Sequence, residues 1–131
     1  MYVAERDDPT QPKRGRKEEK LTMPLYMSQF AYTSEAWAAL AQNPEDRSEP
    51  IRRLLETMGG RLISYYNSFG EYDGVAIFEA PDEGTAAAVA IAAITPGHLK
   101  SIKTTVLLSP EEGVEAMRRA GGATFRGAGQ Q

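Results

Sequence analysis

The chain has 131 residues, a formal net charge of −3, one histidine and no cysteine. That length suits one domain with a single modest core, and the missing cysteines exclude disulfides, thiolate nucleophiles and cysteine-ligated metals. A lone His98 removes histidine-rich metal sites, and no Asp-x-Asp-x-Asp spacing offers a carboxylate cage, so neither a metal nor a cofactor is expected.

Residues 1–22 stand apart. They carry six basic and five acidic side chains, Pro9, Pro12 and Gly15, and almost no apolar periodicity. Such a segment cannot bury enough surface to offset its conformational entropy, and a disordered extension is expected. Lys13-Arg14-Gly15-Arg16-Lys17 reads as a solvated tail before it reads as a basic address, and Met23-Pro24 could equally be the start of the functional chain. The segment is charged and polar, without the apolar core of a secretory leader. The remainder holds nine basic and thirteen acidic side chains, a poor match for a phosphate backbone, so no nucleic-acid partner is expected.

Order is expected from Leu25. Residues 25–32 alternate Leu25, Met27, Gln29, Ala31 with Tyr26, Ser28, Phe30, Tyr32, the pattern of a first strand. Thr33 and Ser34 can cap a helix carrying Trp37, Leu40 and Ala41. Asn43-Pro44 breaks that helix and offers a restart, with Asn43 as cap and Pro44 at the first position, and Pro50 marks another kink or start. Ile51, Leu54, Leu55 and Met58 then form a helical stripe that Gly59-Gly60 stops. Residues 61–69 and 75–80 read as the second and third strands. Gly70 and Gly74 are expected to take positive φ in a tight connection that presents Glu71, Tyr72 and Asp73.

Pro81-Asp82 ends the third strand and caps an alanine-rich helix over residues 83–94, whose small side chains permit close approach to a sheet or a neighbour. Its apolar run, from Ala86 to Ile94, is far shorter than the roughly 20 residues of a membrane span. No membrane association is expected, and a cytoplasmic location is the default. Residues 98–108 form the fourth strand. Ser109-Pro110-Glu111-Glu112 is a capping box with proline at the first helical position, and it opens a last helix that Gly121-Gly122 closes.

The order strand, helix, strand, strand, helix, strand predicts an α+β, ferredoxin-like βαββαβ fold. It is an antiparallel four-stranded sheet with two helices on one face, plus a C-terminal helix. The domain spans residues 23–122, between the extension at 1–22 and a flexible tail at 123–131. The other sheet face is aromatic and small-polar, too apolar to stand alone in water, so a homodimer with paired sheets is expected.

Met23-Pro24-Leu25-Tyr26, Phe30-Ala31-Tyr32-Thr33, Gly59-Gly60-Arg61-Leu62 and above all Gly70-Glu71-Tyr72-Asp73, followed by residues 75–82, carry a resemblance to the GYD-domain family. The resemblance runs from Met23 to about Arg119 and implies a dimeric α+β barrel. It implies no particular activity and leaves residues 1–22 unmatched.

The candidate ligand-binding residues are Glu71, Tyr72, Asp73, Tyr26, Tyr66 and His98. Glu71, Tyr72 and Asp73 would form a polar site at the mouth of the space between two sheets, with Tyr72 as donor and Asp73 as acceptor or base. Turn chemistry alone also explains them, with Asp73 bonding nearby amides and Tyr72 folding back as cover. His98 is either a general base in need of a carboxylate or an exposed residue at a strand start. Tyr26, Phe30, Tyr65, Tyr66 and Phe69 could line a pocket or simply build the core, and Trp37 is expected to anchor helix to sheet.

Three functions compete. A dimeric small-molecule binding or sensing module, taking a small apolar or aromatic ligand, leads because no catalytic motif is present. A cofactor-independent enzyme, monooxygenase- or isomerase-like, would need two acid–base groups converging in the cavity. An assembly protein without ligand would use its alanine-rich helix as a packing surface.

Overall fold

The computed structural model describes residues 23–129. The expectations for residues 1–22 and for Gln130 and Gln131 fall outside them. Strand β1 is Leu25–Tyr32, β2 Arg61–Asn67, β3 Gly74–Glu79 and β4 Leu99–Leu107; helix α1 is Ser34–Gln42, α2 Ser48–Thr57, α3 Glu83–Ile94 and α4 Pro110–Gly121. The sheet order is β2-β3-β1-β4 and every neighbouring pair is antiparallel. Each crossover therefore skips one strand, which is the ferredoxin-like topology of an α+β fold.

Local chemistry sets the helix starts. The Thr33 side chain accepts from the Ala36 amide, Asp82 from Thr85, and Ser109 from Glu112 in a reciprocal capping box, each satisfying a donor the first turn leaves free. The expected helix restart at Asn43-Pro44 does not occur. Asn43 is instead the C-cap of α1, its amide donating to the Ala39 carbonyl, and α2 begins at Ser48. Asp46 explains the later start. Its carboxylate accepts from both the amide (2.9 Å) and the hydroxyl (2.6 Å) of Ser48, and Pro50 fits the first turn, where its missing N–H costs nothing.

The two sheet faces differ sharply. Tyr26, Ser28 and Phe30 on β1, with Ala76 and Phe78 on β3, are buried against the helices and join Leu55 of α2 and Ala86 and Val89 of α3 in one core. Tyr26 and Phe78 stack at 5.6 Å. Met27, Gln29, Val75 and Ile77 point to the opposite face, which no element among the described residues covers.

In β2 the register shifts between Leu62 and Ser64, so that Leu62 pairs with Phe78 while Tyr65 pairs with Ala76. Regular alternation would set Tyr66 beside Leu62; the bulge turns Tyr65 inward and leaves Tyr66 on the open face. Helix α4 has no buried residue and stands outside the core. Among the described residues no helix is long and apolar enough to cross a membrane.

Candidate functional site

Between the inner sheet face and helices α2 and α3 lies a cavity of about 170 Å³. Its depth is mostly apolar: Leu55, Phe78, Val89 and Leu99 are all buried, and the one buried polar side chain there, Ser28, is paired with Thr104. Ala92 and Ala93 of α3 also line it. Small side chains here do not draw the helix onto the sheet; they leave the space open, because bulky neighbours such as Phe78 and Leu55 hold the layers apart.

Polar groups gather at one end. The Tyr32 and Tyr65 hydroxyls lie 3.5 Å apart, and Arg47 and His98 line the same end. Each is placed by a different element. Tyr32 ends β1, Tyr65 is turned inward by the β2 bulge, and Arg47 immediately precedes α2. His98 immediately precedes β4, held by the Thr33 amide donating to its carbonyl at 3.0 Å. The His98 and Tyr32 rings lie 6.3 Å apart.

The electrostatics of this end follow from partial burial. Burial lowers the His98 pKa, and the nearby Arg47 charge lowers it further, so the ring favours its neutral form. Burial also opposes the Arg47 charge, but the bond to Glu45 and the Tyr32 hydroxyl together hold the guanidinium pKa above its ordinary value. Burial and the Tyr32 hydroxyl push the Tyr65 phenol well above the ordinary tyrosine value, keeping it a protonated donor. Among the described residues no carboxylate and no second imidazole lines the cavity. A neutral His98 without an orienting carboxylate is short of the paired acid–base equipment that proton-transfer catalysis uses. Among the described residues no group of three or more His, Asp or Glu side chains is placed to hold a metal ion.

The six residues singled out from sequence do not converge. His98 alone among them lines the cavity, where it is half-buried rather than an exposed strand start. Tyr26 is buried in the core at the opposite end of β1, its hydroxyl without a hydrogen-bond partner among the described residues. Tyr66 lies exposed on the open face, and Glu71 and Tyr72 border a shallow groove on that face with Gln29 and Lys103.

Asp73 is a structural tie. Its Oδ2 accepts from the Tyr32 amide at 2.9 Å and from Trp37 Nε1 at 3.3 Å, while its own amide donates to the Phe30 carbonyl at 2.7 Å. It thereby pins the β2–β3 connection to the end of β1. Trp37 joins the same clamp, edge-on to Tyr32 at the end of β1 and stacked on Phe69, so that it ties its helix to the sheet.

The expected positive φ at Gly70 and Gly74 is absent; among the described residues only Gly59, Gly97 and Gly129 adopt it. Gly74 is needed for space instead, since a Cβ there would overlap the buried Phe30 ring. The cavity of the single chain lies behind the inner face, between the sheet and its helices. Arg47 and Tyr32 escaped sequence reasoning, and Tyr65 appeared only among several aromatics. Arg47 sits in a polar loop with no local pattern to distinguish it, so only its position in space reveals it.

The GYD domain family matches residues 26–117 of this chain. A protein of Thermus thermophilus described as a glutamine synthetase and cystathionine beta-lyase binding protein is similar over 80 residues at 29% identity. That match covers 61% of this chain and 84% of the relative.

Proposed function

The chain belongs to the GYD-domain family, and from that premise we propose that it is a dimeric binding module which senses a small apolar molecule in the cavity of each subunit. The cavity carries this reading: a mostly apolar space with a few polar groups at one end is the usual form of a small-molecule site. The enzyme alternative has less support, because the described residues that line the cavity include one imidazole and no carboxylate. The resemblance and the uncovered, partly apolar face around Met27, Val75 and Ile77 support pairing of two sheets in the dimer.

Native mass spectrometry of protein purified without additives tests the reading. A dimer carrying an extra non-covalent mass, lost in Ala93→Leu where the larger side chain fills the cavity, is the expected result. An extra mass that Ala93→Leu retains would place the ligand elsewhere.

A second reading, binding to protein partners, draws on the name of the Thermus relative. It is favoured by α4, where Met117 is 71% exposed and Val114 is also exposed, and by Phe125 beyond it at 89%. Co-elution of the purified chain with glutamine synthetase or cystathionine beta-lyase, lost on Met117→Glu, would support it. No co-elution with either enzyme would count against it.

A further inference from the structure

The charge pattern of the cavity narrows its ligand. Among the described residues that line it, Arg47 alone carries a full charge at neutral pH, since none of them is a carboxylate and His98 favours its neutral form. Its guanidinium has five donors in a planar fork. Glu45 engages Nη1 from the solvent side, with half of its own side chain exposed (52%). The Tyr32 and Tyr65 hydroxyls stand at the same end as further donors.

The opposite wall, with Leu55, Phe78 and Val89, is apolar but for Ser28, whose hydroxyl is already paired with that of Thr104 at 2.7 Å. Its size is also informative. A dry engineered cavity of about 150 Å³ holds one benzene, so a cavity of about 170 Å³ holds one six-membered ring and little more.

Resting on the reading that this cavity is a binding site, we infer that its ligand class is the small apolar monocarboxylic acid of about one ring, its ring among Leu55, Phe78 and Val89 and its carboxylate on Arg47. One guanidinium balances one negative charge and matches a carboxylate in plane through paired N–H donors. A dianionic phosphate would bring a second charge with no cation to meet it. A ring bearing only a neutral acceptor would leave Arg47 paired with Glu45 and gain no charge-assisted bond of its own. Glu45 then acts as the resident competitor that the incoming carboxylate displaces.

Titration calorimetry with benzoate and its neutral isostere benzamide tests this on the full chain. Wild-type protein is expected to bind benzoate about tenfold or more tightly than benzamide, the margin of one charge-assisted contact. Arg47→Gln should erase that preference while benzamide binding persists, and Arg47→Lys, which keeps the charge but not the fork, should retain part of it. Glu45→Gln should tighten benzoate by freeing the guanidinium, and Ala93→Leu should abolish both ligands.

Equal binding of the two probes, or benzoate binding unchanged in Arg47→Gln, overturns the carboxylate inference. The cavity reading then still stands if Ala93→Leu blocks both. Failure of wild-type protein to bind either probe at millimolar concentration overturns both.

Discussion

At the scale of single residues, Asp73 and His98 exchange the roles their positions suggest. Asp73 lies in the connection that carries the family resemblance, yet both its acceptor bonds serve the framework. Asp73→Ala would strand the buried Tyr32 amide, and the expected cost is about 1–3 kcal/mol in urea unfolding. Asp73→Asn keeps an acceptor oxygen and should lose clearly less, and a loss as large as that of alanine would mean the charge itself matters.

His98 predicts a pH dependence. Its folded pKa lies below the ordinary 6.5, through burial and then Arg47, so on acidification the unfolded chain takes up the proton first. Stability is fully present above pH 6.5 and declines as pH falls through that value toward the folded pKa. The Asp46 and Asp82 carboxylates, held low by hydrogen bonds from Ser48 and Thr85, act only below their ordinary 3.8. Melting temperatures between pH 7.5 and 5 should therefore fall in the wild type and fall less in His98→Gln; parallel curves would remove His98 as the cause.

At the scale of elements, α3 and α4 show how one kind of signal leads to different ends. The alanines of α3 are legible as a small-residue helix, but whether they close a gap or leave one depends on Phe78 and Leu55 across the layer. The capping box of α4 is fully legible, because Ser109 and Glu112 are neighbours in sequence and their bonds of 2.8 and 3.0 Å need no distant partner. What α4 packs against is not legible, and among the described residues none of its own is fully buried.

Ser109→Ala should therefore weaken the helix by about 1 kcal/mol. The expected readout is faster amide exchange within residues 110–121 and an unchanged unfolding midpoint for the sheet. A shift of the whole transition would show that α4 is coupled to the core, as it would be if a second subunit packed on it.

At the scale of the whole molecule, the open sheet face is where the proposed pairing of two subunits can be tested. Ile77 sits at its centre, paired with Met27 and Ser64, and Ile77→Lys places a charge where two sheets would meet. Sedimentation should show a dimer for the wild type and a monomer for the variant; a wild-type monomer would leave the face open to solvent. The strand and helix order, the caps at Thr33, Asp82 and Ser109, and hence the ferredoxin-like topology, were determined by the sequence itself. They rest on alternation, helical stripes and capping, which act between residues a few positions apart.

The site belonged to the tertiary structure. Tyr32, Arg47, Tyr65 and His98 come from four separate segments, and no local pattern joins them. A single bulge after Leu62 decides that Tyr65 rather than Tyr66 faces inward. The period of a strand is two, so one extra residue reverses every side chain beyond it, and that choice is made by pairing with β3, not by β2 alone.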